Sequence, residues 1–260
     1  MVDCSYLKEP VSYALFEEMG VPAPRTGFAA VTVNGASYGL YVIIETPDDR
    51  FLDRVYEEPD GNLYDGKYIL DDDGDFVALL DFNDGVDTLF QLEEGTDVGH
   101  ADIRAVSEAL NAALFSEDFY AELSGYIDWD NFHRVWAVEQ WLGQNDGYVL
   151  NTNNYQVYFD PTDGIARFVP WDLDYTFLYD WEWGMDWWGP AGNLAARCLR
   201  DDTCLAALLE RFDAMRTLIA DEADADPRRE CGDVSVSREQ VAVEDWLQNR
   251  SGELSREWDL

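Results

Sequence analysis

Apolar and polar positions along the chain repeat with two different periods, and these periods predict its helices and strands. Apolar residues at helical spacing predict a helix over residues 7–19, followed by an extended, proline-containing segment. Two β-rich runs, residues 28–33 and 38–45, flank Asn34-Gly35. Asn-Gly between such runs is the strongest short signal for a hairpin, so the first third is predicted to be helix and then hairpin.

The rest of the chain is predicted to contain loops, further helices and a second hairpin. Residues 57–100 are acidic and are predicted to be rich in loops. Beyond them the pattern predicts helices over 101–115, 129–142, 195–223 and 238–247, and a second hairpin formed by 155–158 and 165–169. Helix, hairpin, helices, hairpin and helices together predict an α+β fold rather than a wound parallel sheet.

Charge narrows the range of partners. The 260 residues carry 54 acidic and 17 basic side chains, a formal charge of −37, while 47% are hydrophobic, which excludes a disordered acidic tail. Such a surface repels a phosphate backbone, so no nucleic-acid partner is expected, and it attracts divalent cations and basic polypeptides. An aspartate-rich composition suits a high-salt habitat, a high-GC genome or a calcium-rich extracellular setting equally well.

Hydropathy predicts a soluble globular protein. No run approaches the roughly 18 apolar residues of a membrane span, and residues 1–10 lack the pattern of a signal peptide. The length suits one domain, or a two-lobed unit with a single cleft.

Cysteine spacing allows disulfides and does not suggest a metal site. Cys198 and Cys204 flank a short acidic loop that a disulfide could close, which leaves Cys4 and Cys231 as a second pair. The even count favours an oxidising compartment, with buried thiols as the alternative. His133 stands alone in a predicted helix and is interpreted as an ordinary surface or core residue, so zinc is not expected.

The segment Asp71–Asp75 alternates aspartates around a glycine and resembles the start of a calcium loop. The glutamate that closes an EF-hand is missing at the expected place, so a solvated turn is the alternative. A calcium-stabilised structural domain is accordingly a third hypothesis for the whole chain.

The densest cluster of unusual residues lies in the segment 143–177, around the second hairpin. An aspartate follows the end of a predicted helix, and asparagines stand just before a predicted strand. An Asp-x-Asp pair follows the second strand of the predicted hairpin. If the hairpin forms, carboxylate and amide oxygens meet at one point, which suits Mg²⁺ or Mn²⁺. Protein-kinase-type phosphotransferases use this inventory, with Asp146 orienting the hydroxyl, Asn154 or Asn151 binding metal, and Asp172 binding metal. The alternative is that these residues only form turns and caps.

Five motifs stand out along the chain: Glu18–Thr26, Val33–Tyr41 with Glu45, Gly61–Tyr64, Asn153–Tyr155 and Pro170–Asp174. Together and in this order they resemble the CotH family, named for a spore-coat protein kinase. The similarity runs from about residue 5 to residue 180.

The resemblance implies a two-lobed fold distantly similar to protein kinases. It implies an abbreviated nucleotide lobe over residues 1–100 and a mainly helical lobe over 101–260, which together form one functional domain. It also implies transfer of the ATP γ-phosphate to serine or threonine of a secreted or surface protein. Asp146 matches the catalytic aspartate, Asn154 and Asp172 match the metal ligands, and Asp174 is expected to support Asp172.

The chain departs from the family in its nucleotide-binding part. Strands usually found upstream of the first helix are not in this sequence, and Asp65 stands where family members often have lysine. Lys67, Arg25 or Arg50 would have to compensate for that aspartate, because its charge repels ATP phosphates. Glu45 ends a strand at a position where the resemblance suggests a nucleotide-lobe role, although an exposed glutamate there is ordinary.

The resulting expectation is a kinase that uses ATP with Mg²⁺ or Mn²⁺, with Ca²⁺ as a further candidate ion. The expected acceptor is a basic, serine-rich protein, and the expected location is outside the cell or on its surface, with the cytoplasm still open. The alternative is a non-catalytic cell-surface binding module, as described for some fungal members of the family. Trp181, Trp183, Trp187 and Trp188 are expected to pack on the last helices, with a lid as the alternative.

Overall fold

The computed structural model describes residues 5–71, 73, 76–82, 89–177 and 190–225. The helices are α1 (Lys8–Glu18), α2 (Asp49–Val55), α3 (Ala101–Ala112), α4 (Phe119–Leu123), α5 (Trp129–Leu142), α6 (Tyr148–Asn151), α7 (Asn193–Cys198) and α8 (Asp202–Ala225). The strands are β1 (Thr26–Val33), β2 (Ala36–Ile44), β3 (Asn62–Gly66), β4 (Tyr68–Leu70), β5 (Phe76–Leu79), β6 (Gln91–Glu94), β7 (Tyr155–Phe159) and β8 (Ala166–Pro170). Helices and small antiparallel sheets together confirm the α+β class.

Both predicted hairpins form. β1 pairs with β2 from Thr26 opposite Ile44 to the turn at Asn34-Gly35, where both residues have positive φ, 52° and 82°. These dihedrals belong to the turn that matches the twist of a hairpin, and Asn and Gly adopt them most readily. β7 pairs with β8 from Tyr155 opposite Pro170. This pairing brings the residues just before β7 close to the residues just after β8.

Residues 57–100 contain, besides the expected loops, short strands that the sequence analysis did not predict. These are β3, β4, β5 and β6, and the unpredicted helix α2 precedes them. β3 and β6 join β7 and β8 in an antiparallel sheet of order β6-β3-β7-β8. The strands were missed because they are short and their pairing is not local: Tyr64 of β3, for example, lies opposite Val157 of β7. The sheet therefore joins strands from both sides of residue 100.

Helix α5 is the central element of the core. Ten of its residues are buried, so it is covered on nearly all sides, whereas a surface helix hides only one stripe. Phe132 of α5 packs 5.0 Å from the ring of Phe168 on β8 and 5.7 Å from that of Tyr148 in α6. These aromatic contacts hold the β7–β8 hairpin and the turn before it against one rigid helix.

A buried amide ties α5 to the edge of the sheet. β8 is the last strand of the four-stranded sheet, so part of its backbone has no neighbouring strand to pair with. The Asn131 side chain fills this role, because its Nδ2 donates to the carbonyl of Phe168 at 3.1 Å and its Oδ1 accepts from the Phe168 N–H at 2.7 Å. These two hydrogen bonds fix the position of the β7–β8 hairpin along the axis of α5. The aromatic contacts hold the hairpin against the side of the same helix.

The single helix expected over 195–223 is instead two helices, α7 and α8. The carboxylate of Asp201 accepts hydrogen bonds from the backbone N–H groups of Thr203 and Cys204, so it caps the start of α8. A disulfide between Cys198 and Cys204 closes the acidic loop, as one of the two interpretations of the cysteines anticipated. Apolar periodicity runs through both helices, which is why the pattern alone did not show the break.

His133 is a core residue next to that disulfide. It is 1% exposed, and its Nε2 lies 3.3 Å from the sulfur of Cys204 and 3.5 Å from that of Cys198. Burial, assisted by the charge of Arg211, lowers the pKa of His133 to about 4.

Several sequence predictions fall outside the described residues. These are the pairing of Cys4 with Cys231, the packing of the four tryptophans between 181 and 188, and the helix over 238–247. In the described part of the chain, no helix combines the length and apolar character needed to cross a membrane.

Candidate active site

The turn between α5 and β7 is built around a buried glutamate. α5 ends at Gly143, whose φ of 59° reverses the chain. Four residues earlier, the Glu139 carboxyl points into the following turn and accepts the backbone N–H of Val149 at 3.4 Å. Gly147 passes so close that a Cβ there would lie 2.5 Å from Glu139 Oε1. The path of the backbone around Asp146 therefore depends on a glutamate and a glycine in contact.

Asp146 is held by three asparagine amides. Its Oδ1 accepts from Asn151 Nδ2 at 2.6 Å and from Asn153 Nδ2 at 3.1 Å, and its Oδ2 accepts from Asn154 Nδ2 at 3.0 Å. Such bonds fix the rotamer of the carboxylate. Each amide that donates through Nδ2 keeps its carbonyl oxygen as an acceptor.

Asp172 lies beside this group, just after β8. Its backbone carbonyl accepts from Gln144 Nε2 at 3.2 Å and from Asn154 Nδ2 at 3.4 Å. Although the residue is open to solvent, partial desolvation of its carboxyl raises its pKa, and repulsion from Asp174 and then Asp146 raises it further. The structure thus brings Asp146, Asn154 and Asp172 together, with Asn151 and Asp174 in the same group.

The chemistry of this group fits a hard divalent cation. The donors are carboxylate and amide oxygens, which Mg²⁺ and Mn²⁺ prefer, and neighbouring carboxylates repel one another until a cation neutralises them. Desolvation is the main cause of the raised pKa of Asp172, and repulsion from Asp174 and then from Asp146 adds to it. Asp146, Asn154 and Asp172 are the residues that would hold such an ion.

Helix α1 braces the loop after Asp172, which sequence reasoning did not foresee. Lys8 Nζ donates to the backbone carbonyl of Asp174 at 3.1 Å. Ser12 Oγ donates to Thr176 Oγ1 at 3.2 Å, and Thr176 Oγ1 donates to the carbonyl of Leu173 at 2.8 Å. No local signal links residues that are more than 160 positions apart, so only the folded chain shows this contact.

Asn153 and Gln144 are two further site residues that the sequence analysis did not select. Asn153 stands inside the run Asn151-Thr-Asn-Asn154, so the run of asparagines was the signal that could have identified it. Gln144 follows the glycine that ends α5, and no pattern distinguishes it from a turn residue. Its role becomes visible only because β8 places the carbonyl of Asp172 within its reach.

The predicted nucleotide-binding residues form two further groups. Lys67 Nζ pairs with Asp65 Oδ2 at 2.8 Å and contacts Gln91 Oε1 at 3.3 Å. At the base of the first hairpin, Glu45 accepts from Arg25 and from Arg54, each at 2.5 Å. Burial opposes ionisation of Glu45, but these two arginines outweigh it and lower the pKa of the carboxyl to about 2. Glu45 is therefore a partly buried ion-pair partner rather than an exposed strand end.

The hairpin base also forms an open pocket of about 510 Å³, whose lining includes Arg25, Arg50, Thr26 and Gly27. In the candidate calcium loop, the Asp73 N–H donates to Asp71 Oδ1 at 3.0 Å, which is an ordinary turn contact. Asp72, Gly74 and Asp75 lie outside the described residues, and the calcium site stays a prediction.

The fold and the site together define a mixed α+β protein in which carboxylate and amide groups cluster at one end of the β7–β8 hairpin. The family model described as CotH kinase protein matches residues 1–225, and the chain belongs to the CotH family. The resemblance drawn from the motifs is thereby confirmed. The chain is similar to a curated relative, the inner spore coat protein H of Bacillus subtilis (strain 168), at 26% identity over 226 residues. That match covers 85% of this chain and 56% of the relative's length.

Proposed function

We propose that this chain is a protein serine/threonine kinase that transfers the γ-phosphate of ATP. The observation that carries the proposal is the convergence of the Asp146 carboxylate, the Asn154 amide and Asp172 at one end of the β7–β8 hairpin. Membership of a family described as CotH kinase protein supports the same reaction class.

In this proposal the side chains act by positioning and by charge. Asp146, fixed by its three amides, accepts a hydrogen bond from the incoming hydroxyl and orients it toward the phosphorus atom. Asp172 and Asn154, with Asn151 nearby, hold Mg²⁺ or Mn²⁺, and Asp174 supports Asp172. The bound cation supplies neutralisation of the negative charge on the phosphates.

The nucleotide would lie between this group and the first hairpin, in a two-lobed arrangement. Arg25 supports this placement because its side chain is 65% exposed while it pairs with Glu45 beside the open pocket. Arg50 lines the same pocket and adds a second positive charge. Lys67 would reach the phosphates only if it gave up its ion pair with Asp65. In this proposal Glu45 and the arginines therefore contribute more to nucleotide binding than Lys67 does.

The acceptor in this proposal is a basic, serine-rich protein outside the cytoplasm. The charge of −37 would steer a basic acceptor toward the chain. The buried disulfide between Cys198 and Cys204 suits an oxidising compartment, and the relative named as an inner spore coat protein is consistent with a surface location.

The second candidate is a non-catalytic binding module, and the contact between Lys67 and Asp65 favours it. Asp65 stands where family members often have a lysine, and its ion pair engages Lys67, the nearest lysine in this chain. The two candidates differ in a direct way: a kinase binds ATP with a divalent cation and is stabilised by it, whereas a pure binding module is not.

The test compares Asp146→Asn and Asp172→Asn with the parent chain and with Asp53→Asn, which removes the same charge from the exposed face of α2. Phosphate transfer from radiolabelled ATP to a basic serine-rich peptide is measured with Mg²⁺ and with Mn²⁺. We expect Asp146→Asn and Asp172→Asn to lose about a hundredfold or more, and Asp53→Asn to match the parent.

Circular dichroism confirms that each variant is folded, and thermal melting with and without ATP and Mn²⁺ reports binding. Transfer by both site variants at the parent rate would remove these residues from catalysis. A parent that neither transfers phosphate nor gains stability from the nucleotide would establish the binding module instead.

A further inference from the structure

A second group of potential metal ligands lies in the core, away from the Asp146 group. It consists of His133 on α5, Cys198 at the end of α7 and Cys204 in the first turn of α8, and each is at most 1% exposed. One ligand atom from each lies within 4.8 Å of the other two. Sequence spacing gave no hint of it, because His133 is 65 positions before Cys198.

The distances from the imidazole nitrogen to the two sulfurs already match those between ligands of one metal ion. With bonds of about 2.0–2.1 Å to nitrogen and about 2.3 Å to sulfur, a tetrahedral ion places a nitrogen and a sulfur ligand about 3.5 Å apart. His133 Nε2 lies 3.3 Å from Cys204 Sγ and 3.5 Å from Cys198 Sγ. Only the two sulfurs would have to move, from bonding distance of each other to a separation of about 3.8 Å.

The surrounding residues hold the ring in this orientation. His133 is stacked on Tyr120, with an angle of 6° between the ring planes, and on Trp129, with an angle of 28°. Asp201, which caps α8, holds the N–H of Cys204 at 3.0 Å and so fixes the backbone on the sulfur side. A ring fixed by its neighbours loses little freedom on binding, which favours tight binding.

We propose that reduction of the Cys198–Cys204 disulfide converts this cluster into a site for one thiophilic metal ion, Zn²⁺ or Cu⁺, bound by His133 and both cysteines. A thiol or phosphine reductant supplies two electrons, and the disulfide takes up two protons to give two thiols. Binding of the ion releases those two protons, because both sulfurs coordinate as thiolates. The oxidised chain has no thiolate here and does not bind the ion.

Two thiolates and an imidazole form a soft donor set, which Zn²⁺ and Cu⁺ prefer over Mg²⁺ or Ca²⁺. The site is therefore chemically distinct from the oxygen donors around Asp146, and it does not depend on the proposed kinase activity. The disulfide links α7 to α8, whereas a metal ion bound in its place would link both of these helices to α5 as well. The redox state of the surroundings would decide which link is present.

The experiment uses the full chain with Cys4→Ser and Cys231→Ser, so that only the two cysteines of the cluster remain. This parent is reduced with a phosphine under argon, freed of reductant, and titrated with Zn²⁺ against a chromophoric chelator and with Cu⁺ against bicinchoninate. We expect one equivalent of ion per reduced chain and none per oxidised chain. His133→Gln, reduced in the same way, should bind more than about tenfold more weakly.

The proposal fails if the reduced parent takes up neither ion stoichiometrically, or if reduced His133→Gln binds as tightly as the parent. X-ray absorption of the loaded parent needs no variant and covers the case in which His133→Gln does not fold. It should show two sulfur neighbours at about 2.3 Å together with imidazole scattering. A first shell of oxygen and nitrogen alone, or of sulfur alone, would also overturn it.

Discussion

At the scale of single residues, the carboxyl group of Glu139 has the most unusual surroundings in the site region. It is 4% exposed, and burial raises its pKa from 4.5 to about 8, although it accepts backbone N–H groups. The folded chain therefore binds more protons than the unfolded chain between those two pH values. The stability that this group contributes is complete below pH 4.5 and is lost as pH rises through 8.

Glu139→Gln keeps a carbonyl oxygen for the Val149 N–H but cannot ionise. We expect its free energy of unfolding to fall less than that of the parent between pH 5 and pH 8, because the proton-linked loss is removed. Urea denaturation at a series of pH values measures this. Asp81, whose pKa burial raises to about 6, stays in both proteins and contributes equally to both curves. Parallel curves would show that Glu139 ionises normally in the folded protein.

Gly147 is the residue whose lack of a side chain matters most in the site. A Cβ there would lie 2.5 Å from Glu139 Oε1, so Gly147→Ala must displace the turn or the glutamate. We expect a loss of about 1–3 kcal/mol in the free energy of unfolding, with Asp146 shifted as well. Gly125→Ala is the matched control, since a Cβ at Gly125 meets nothing within 4 Å. Equal thermal melting of the two variants would contradict the close contact.

At the scale of elements, Asn131 joins α5 to β8 with hydrogen bonds in both directions. Asn131→Ala leaves the buried N–H and C=O of Phe168 without this partner, at a cost of about 1–3 kcal/mol for each group. We expect a total loss of about 3 kcal/mol in urea denaturation. Glu108→Ala on the exposed face of α3 should change stability by less than about 0.5 kcal/mol. A loss of the same size in both variants would rule out the special role of Asn131.

The elements also show what the sequence can predict and what it cannot. Helix α1, helix α5 and both hairpins were predicted because their signals are local: apolar periodicity, Asn34-Gly35, and the closely spaced β-rich runs 155–158 and 165–169. β3 and β6 were missed because their stability comes from partners distant in sequence, such as the pairing of Tyr64 with Val157. The break between α7 and α8 was missed because apolar periodicity continues across it.

The same distinction applies to the site. The spacing of Asp146, Asn154 and Asp172 around a hairpin, together with the family motifs, was enough to select residues that the fold brings together. The support from Lys8 and Ser12 on α1 could not be predicted, because it depends on how α1 packs over a loop more than 160 residues later. The residues that carry the chemistry of the candidate site could therefore be predicted from the sequence. The contacts from α1 that support the site could not.

At the scale of the whole molecule, the net charge of −37 opposes the compact state through self-repulsion. Salt shortens the range of that repulsion from about 30 Å at 0.01 M to about 3 Å at 1 M. We therefore expect the melting temperature to rise between 0.01 M and 1 M KCl. Scanning calorimetry at fixed pH measures the shift, and an equal concentration of a neutral solute serves as the control. A melting temperature that falls or stays constant would show that repulsion is not a significant term.

Three residues around Asp146 have left-handed backbone conformations: Thr152 at a φ of 47°, Asn154 at 48° and Asp172 at 47°. Thr152 is β-branched, so this conformation is intrinsically unfavourable for it and persists only because the surrounding packing enforces it. The loops that hold the oxygen donors have thus already lost most of their conformational entropy when the chain folds. If the proposed site binds a ligand, its donors are already ordered, and little of the binding free energy would be consumed in ordering the protein.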